Sequence, residues 1–225
     1  MKLIHSLASV FVALACSHDS MSATSAWLTL ASYEFDTDVV GSGPKGFEFS
    51  KSQSGKPGSW QIRAMGDAPS GKNVLVQADD DRSQDRFLMA IAKRAAVRDV
   101  RLTTKCKPMR GRDDQACGLV FRYQDSSNYY LARSNALEGN VRLYHVRTGR
   151  RSQLATWDGP VTQEAWHELA IEAVGQHMRV LLNGHEVIAH SDATFVREGR
   201  LGLWTKADSV TAFDDFTIEV PAANP

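Results

Sequence analysis

Apolar and polar residues alternate in short runs along most of the chain after its first 26 residues. The earliest runs are built on apolar residues two positions apart: Trp60 and Ile62, Val74 and Val76, and Phe87, Met89 and Ile91. Side chains two apart on a β-strand point to the same face, so each run predicts a strand with one buried face. Glycine, proline, asparagine and aspartate separate the runs, which is typical of an all-β sandwich.

Later runs predict the remaining strands of the sandwich. They cover residues 119–123, 129–133, 141–146, 153–157, 200–205 and 212–220, with three strands in 166–190. Within the group of three, Asn183 and Gly184 predict a two-residue hairpin turn because both residues tolerate positive φ. Residues 90–96, AIAKRAA, also have helical propensity, so the choice there is between a helix and a strand. We expect a strand.

Two cysteines lie in a segment that the pattern predicts to be a β-hairpin. Cys106 continues an apolar face that begins at Val100, and Cys117 begins an apolar face that ends at Tyr123. With the turn centred on residues 111–112, the two cysteines lie opposite each other on neighbouring strands, where a disulfide can form. The alternative is two buried free thiols.

The first 26 residues predict a secretory signal. Lys2 precedes an apolar segment from Leu7 to Ala15, which is too short for a permanent membrane-spanning helix. Cleavage after the small residues near its end gives a periplasmic or secreted protein. The alternative is lipid attachment at Cys16, because the preceding Val-Ala-Leu-Ala resembles a lipobox. No later segment is apolar enough to span a bilayer.

Length and charge limit the organisation and the partners of the mature protein. The 225 residues suit one large β-domain, here residues 27–221, followed by a short tail at 222–225. Acidic and basic residues balance at 26 each, so no overall field attracts nucleic acid or an anionic membrane surface. Export to an oxidising compartment favours the disulfide over the free thiols.

Three blocks of sequence resemble a known class of domain. They are CGLVFRYQDSSNYYLAR, WHELAIEAVGQHMRVLLNGHEV and GRLGLWTKADSVTAFDDFTI, at residues 117–133, 166–187 and 199–218. They resemble the concanavalin A-like, laminin-G-like jelly rolls, and more narrowly the bacterial 3-keto-disaccharide hydrolase domain family, over residues 30 to 220. The resemblance implies two packed antiparallel sheets, one of which is bent into a concave face that meets glycans.

The last of these blocks contains a candidate sugar-binding surface. If Leu201 and Leu203 point into the core, alternation turns Trp204 and Lys206 outward. An exposed indole is a flat platform for a sugar ring, and Lys206 and Asp208 at the strand end would bind hydroxyl groups. The alternative is a Trp204 buried in the core, with the two charged residues forming a solvated rim.

The central block supplies a second set of candidate ligand-binding residues. With Phe121 and its neighbours pointing inward, Arg122 points out, opposite Tyr129 if the turn occupies residues 124–127. The same outer face then carries Arg133, and the connection that follows it adds three polar residues: Asn135, Glu138 and Asn140. Such a group is either a hydroxyl-binding surface or a set of cross-strand ion pairs on a solvated sheet.

Catalytic motifs are much weaker than the binding pattern. The family 16 glycoside hydrolases share the jelly roll but carry Glu-x-Asp-x-x-Glu, which this chain lacks. In the 3-keto-disaccharide hydrolases, a block like CGLVFR precedes an acidic strand, whereas YYLARSN follows here and contains no acid. Glu138 is the nearby carboxylate that would replace it if the protein is an enzyme. Non-catalytic carbohydrate binding is therefore the leading hypothesis, and a glycoside hydrolase is the alternative.

Metal binding is indicated only by runs of aspartate. Asp79, Asp80 and Asp81 form one run of hard oxygen ligands, and Asp214 and Asp215 form another, which together suggest either a calcium site or solvated loops. The chain has no zinc-ligand spacing. We therefore expect no cofactor, with calcium as the alternative.

Overall fold

A computed structural model describes residues 26–94 and 96–222, which form fifteen strands and contain no helix. The strands are β1 Trp27–Tyr33, β2 Phe47–Ser52, β3 Trp60–Ala64, β4 Asn73–Gln77, β5 Phe87–Ala92, β6 Val100–Arg110, β7 Ala116–Asp125, β8 Asn128–Asn135, β9 Asn140–Arg147, β10 Arg150–Asp158, β11 His167–Val174, β12 His177–Leu182, β13 His185–Ser191, β14 Arg200–Lys206 and β15 Val210–Pro221. The choice made for residues 90–96 is confirmed as far as Ala92, where β5 ends.

The strands form two antiparallel sheets. One has eight strands in the order β13-β12-β11-β6-β15-β4-β3, with β1 pairing to β15. The other has seven strands in the order β10-β9-β8-β7-β14-β5-β2. The predicted all-β sandwich is confirmed, and so is the hairpin turn at Asn183 and Gly184, which have φ of 51° and 78°.

The main core lies between the two sheets. Leu201 and Leu203 of β14 belong to it, as the alternation predicts, and Leu102 and Phe213 meet them from the other sheet. All four side chains are completely buried. Burial of apolar surface on this scale is the principal force that holds two sheets together.

The structure corrects the hairpin predicted around the cysteines. Strands β6 and β7 follow each other in sequence but lie in different sheets, since β6 pairs with β11 and β15 while β7 pairs with β8 and β14. The predicted disulfide between Cys106 and Cys117 is present, with 6.5 Å between the Cα atoms, but it connects the two sheets across the core. Both cysteines face the core, so alternation placed the faces correctly and the pairing wrongly.

The predicted signal, including Cys16, lies outside the described residues, so export and lipid attachment stay predictions. In residues 26–94 and 96–222, no helix is long and apolar enough to cross a membrane.

Candidate ligand-binding site

The seven-stranded sheet has a second cluster of buried side chains on the face that points away from the main core. This concave cluster consists of Phe87, Met89, Ile91, Ala116, Val120, Tyr123, Tyr129, Leu131, Tyr144, Val146 and Trp204. Its members alternate along the strands with residues of the main core, such as Leu88 and Ala90 on β5. The sheet therefore packs apolar side chains on both faces.

Contacts between distant strands show that the seven-stranded sheet curls around this cluster. Ser52 on β2 lies 3.2 Å from the Tyr129 hydroxyl on β8, although three strands separate β2 from β8 in the sheet. Ser50 makes a similar contact of 2.9 Å with Tyr123, and Gln53 donates to the carbonyl of Gly149 at the β9–β10 turn. Side chains of this length meet only if the sheet is strongly bent. The concave face predicted for a glycan is consequently filled over much of its area.

Trp204 points to the concave side, as predicted, but it is completely buried. Its ring stacks on Phe87 at a centroid distance of 5.6 Å. The prediction of an exposed sugar platform is therefore wrong, and the alternative of a buried Trp204 is confirmed. Alternation fixes which side of a sheet a residue faces but not whether the bend of that sheet covers it.

Arg122 also departs from its predicted position. The residue has a φ of 47° and sits in an irregularity of the β7–β8 pairing, so its side chain leaves the outer face. The buried guanidinium donates to the carbonyls of Arg98, Gly175 and Phe195 at 2.6 to 3.0 Å. Its role is to hold three loops, and the prediction that it points out toward a ligand is wrong.

Tyr129 keeps its predicted side of the sheet, but it is buried inside the concave cluster and is not accessible. Burial raises the pKa of Tyr129 to about 12. Phe121 pairs with Tyr130, as the predicted register requires. The regular pairing ends there, so Arg122 is not paired opposite Tyr129.

Polar groups do converge at one end of the concave face. Arg133 on β8 donates to Glu138 Oε2 at 2.8 Å and to Asn140 Oδ1 at 2.6 Å. Arg142 on β9 lies directly opposite Arg133 and reaches the same Glu138 oxygen at 3.2 Å. We call Arg133, Glu138, Asn140 and Arg142 the arginine–glutamate cluster. The predicted neighbours Arg133 and Glu138 are thus together.

This cluster is accessible where the aromatic part of the face is not. The side chains of Glu138 and Arg142 are 34% and 30% exposed, whereas Arg133 below them is nearly buried. Partial burial by itself would raise the pKa of Glu138, but the charges of Arg133 and Arg142 and the hydrogen bonds to Glu138 lower it. The site therefore presents an ionised carboxylate between two guanidinium groups.

Two further arginine contacts were missed by the sequence reasoning. Arg142 shares the face of Arg133 as its direct cross-strand neighbour, and Arg151 on β10 lies over the ring of Tyr144 at 4.7 Å. The sequence could have indicated Arg142, because Arg142 and Tyr144 are two positions apart and therefore lie on one face of β9. Arg151 needs the pairing of β9 with β10, which the sequence alone does not give.

Asn135 and Lys206, both predicted to bind ligand, instead support a buried carboxylate. Asp114 accepts from the Asn135 side-chain amide at 2.7 Å and from Lys206 Nζ at 2.6 Å. Asn135 also accepts the backbone N–H of Leu137 and of Glu138, so it fixes the turn that carries Glu138. Burial raises the pKa of Asp114, while the contact with Lys206 opposes that rise. These residues therefore support the turn that holds Glu138 in the arginine–glutamate cluster.

Asp208 is buried and lies under the loop that joins the two sheets. Its carboxylate accepts the backbone N–H groups of Arg112, Asp113 and Asp114 at 2.6 to 3.1 Å. These contacts use the carboxylate oxygens that were predicted to bind hydroxyl groups, so the predicted solvent-facing position is wrong.

Three of the aspartates considered for calcium, Asp79, Asp81 and Asp214, are held in hydrogen bonds and ion pairs. Asp79 accepts from Arg86 at 2.5 Å, and Asp81 accepts from Ser83 and Lys56. Asp214 accepts the backbone N–H and the hydroxyl of Ser70 at 3.1 Å. The group of ligand-type side chains that comes together in the described ranges is Cys106, Cys117 and His167, whose two sulfurs form the disulfide. The expectation of no cofactor and the alternative of calcium both stay predictions.

Solved structures share this fold. A carbohydrate binding module, CBM66, from Bacillus subtilis is 23% identical, with 76% of this chain and 94% of that chain covered and a TM-score of 0.58. A Bacillus subtilis protein of unknown function with a galectin-like fold is 12% identical, with coverage of 86% and 97% and a TM-score of 0.61. A prokaryotic beta-1,3-1,4-glucanase (lichenase) derived from a mouse hindgut metagenome is 13% identical, with coverage of 87% and 100% and a TM-score of 0.55.

These similarities confirm the concanavalin A-like jelly-roll fold. No family model matches the chain, and no curated protein matches it. The narrower resemblance to 3-keto-disaccharide hydrolases stays a prediction.

Proposed function

We propose that this protein is a carbohydrate-binding β-sandwich whose ligand lies on the arginine–glutamate cluster. The observation that carries the proposal is the convergence of Arg133, Arg142, Asn140 and Glu138 at the accessible end of the concave face. A sugar hydroxyl both donates and accepts hydrogen bonds. Guanidinium groups supply donors and a carboxylate supplies acceptors, so neighbouring hydroxyl groups of one ring find partners of both kinds.

An unused hydrogen-bond acceptor in the cluster supports this assignment. All the hydrogen bonds and ion pairs of the Glu138 carboxylate within the described part of the chain use Oε2, which leaves Oε1 to accept from a ligand. The name of one similar structure, a carbohydrate binding module, supports the same class of ligand. The N-terminal sequence adds the expectation that the domain meets its glycan in the periplasm or outside the cell.

A glycoside hydrolase is the second candidate, and one observation favours it. The pKa of Asp114 is raised while that of Glu138 is lowered, and such divergence between two carboxyl groups is typical of an acid and base pair. Against it, the Asp114 side chain is almost fully buried beside Lys206, where a substrate would have difficulty reaching it. Non-catalytic binding is therefore the function that the site supports best.

A glycan array followed by calorimetry on the strongest hits tests the binding function. Arg142→Met is expected to lower the affinity for a hit at least about tenfold, because it removes an accessible donor at the cluster. Arg179→Met is the matched control, since Arg179 is also an accessible arginine paired with glutamate but lies on β12 in the other sheet. Equal affinity in the two variants would move the site elsewhere, and an array without hits would contradict the function.

Incubation of each hit with the protein separates binding from hydrolysis. If the protein is a hydrolase, Glu138→Gln retains binding and abolishes the release of cleaved sugar, because glutamine cannot exchange a proton as a carboxyl group does. Intact glycan after long incubation with the unchanged protein supports binding without catalysis.

A further inference from the structure

Arg151 is a cation without a carboxylate partner on the concave face, next to the arginine–glutamate cluster. Its guanidinium carbon lies 4.6 Å from the ring centre of Phe87 and 4.7 Å from that of Tyr144. The two rings hold the side chain in place through cation–π contacts. Within residues 26–94 and 96–222, Arg151 forms no ion pair, and its buried Nη1 has no hydrogen-bond partner. Because Nη1 is enclosed, the half-buried side chain would meet an anionic ligand through its other N–H groups.

The groups around Arg151 leave this positive charge uncompensated. Lys206 and Asp114 neutralise each other at 2.6 Å. Arg133 and Arg142 share the single carboxylate of Glu138, and the Nε atoms of both arginines are buried without a partner in the described part of the chain. Asp158 on β10, which pairs with Asn140, contributes the remaining negative charge near Arg142. Four cations thus face three carboxylates, and the excess falls at Arg151.

Arg151 and Arg133 lie against the same aromatic ring. The Tyr144 ring centre lies 4.7 Å from the guanidinium carbon of Arg151 and 5.8 Å from that of Arg133, so the two cations flank the same ring. This part of the face has more N–H donors than acceptors. A neutral hydroxyl donates as readily as it accepts, whereas a carboxylate only accepts and carries the charge that is lacking.

We propose that the sugar bound at the arginine–glutamate cluster is a uronic acid whose carboxylate is placed against Arg151, beside Tyr144. This inference rests on the carbohydrate-binding function proposed above and specifies the class of sugar. The planar guanidinium matches the two oxygens of a carboxylate, which gives the contact directional specificity in addition to charge.

The test compares acidic oligosaccharides with their own neutral derivatives. Calorimetry uses trimers of galacturonic, glucuronic and mannuronic acid and the methyl ester of each, which removes the charge and keeps the ring. At least one acid is expected to bind at least about tenfold more tightly than its ester, and added salt should reduce the difference by screening. Equal affinity of every acid and its ester overturns the inference.

Variants locate the charge that is recognised. Arg151→Met keeps the length that packs between the two rings and is expected to lower affinity for the acid about tenfold. Arg200→Met is the matched control, because Arg200 also lies over a tyrosine ring but is paired with Glu48. If Arg151→Met fails to fold, Arg151→Lys keeps the charge and loses the planar fork, and a several-fold loss of affinity is expected. Wild-type affinity for the acid in a folded Arg151 variant overturns the inference.

The outcomes for this inference and for the proposed function differ. Binding of neutral glycans as tight as that of uronates, or binding of sulfated glycans alone, overturns the uronic acid assignment and leaves carbohydrate binding in place. Absence of binding to neutral, uronate and sulfated glycans contradicts both.

Discussion

At the scale of single residues, side chains expected to meet ligand mostly hold the fold together. Arg122 binds three loop carbonyls, and Asp208 binds three loop N–H groups. A buried polar group without such partners costs free energy, which explains why Arg122 and Asp208 are surrounded by complementary groups. A ligand site needs the opposite condition, namely polar atoms that stay accessible and incompletely paired, as at Glu138.

Truncation of Trp204 tests whether the concave face is filled. Because the ring is completely buried against Phe87, Trp204→Ala is expected to lower the free energy of unfolding by about 3 to 5 kcal/mol. Urea denaturation measures the change. Phe49→Ala is the control, since Phe49 is half exposed on β2 of the same sheet. Its free energy of unfolding should fall much less. Unchanged stability of the Trp204 variant would show that the ring is accessible after all.

His167 predicts a dependence of stability on pH. Burial lowers the pKa of His167 to about 4, with the carbonyl of Ala165 opposing the shift, so the folded protein keeps this imidazole neutral. An unfolded chain protonates histidine below about pH 6.5. The stability that His167 contributes is therefore complete above pH 6.5 and is lost as pH falls toward 4, by on the order of 3 kcal/mol.

His167→Gln provides the measurement, because glutamine occupies the site without titrating. The difference in unfolding free energy between the unchanged protein and the variant should shrink or reverse between pH 7 and pH 4. His177→Gln, at an exposed position on β12, is the control for the substitution itself. A constant difference for His167→Gln would contradict the assignment of a buried neutral imidazole.

At the scale of strands, the connection between β6 and β7 shows what alternation does not determine. The segment reads equally well as a hairpin or as a crossing between sheets, because both place Cys106 and Cys117 on apolar faces. Gly111 at φ of 156° and the three N–H contacts of Asp208 turn the chain from one sheet to the other. Asp208 is distant in sequence, so a local pattern cannot reveal this turn.

The disulfide is expected to stabilise the sandwich by about 2 to 3 kcal/mol, because it closes a short loop between the sheets and restricts the unfolded chain. Replacement of both cysteines by alanine, followed by chemical denaturation, measures the loss. Mass spectrometry after alkylation of the unreduced native protein gives the direct control. Two freely alkylated thiols in protein purified from an oxidising compartment would contradict the bridge.

At the scale of the whole molecule, the sequence was sufficient for the fold but not for the site. The period of two and the turn residues placed nearly every strand, including β14, whose Leu201 and Leu203 enter the main core as predicted. The curvature of the seven-stranded sheet was missed, since it depends on contacts such as Ser52 with Tyr129 between residues 77 positions apart. That curvature buries Trp204 and leaves accessible polar groups at the arginine–glutamate cluster.

Two buried tyrosines, Tyr129 in the concave cluster and Tyr130 in the main core, predict how the protein responds to alkali. Burial raises the pKa of Tyr129 and of Tyr130 to about 12, and the neighbouring Asp192 adds to the effect at Tyr130. Both phenols keep their protons in the folded state above pH 10, where an unfolded chain loses them, so folding stability should fall as pH rises from 10 to 12.

Ultraviolet absorbance of tyrosinate, followed together with circular dichroism, shows whether the tyrosines ionise before or during unfolding. Tyr129 and Tyr130 should ionise only as the sheets unfold, and Tyr129→Phe should remove one of the late ionisations. Ionisation of Tyr129 before any loss of sheet signal would show that the concave face is open to solvent.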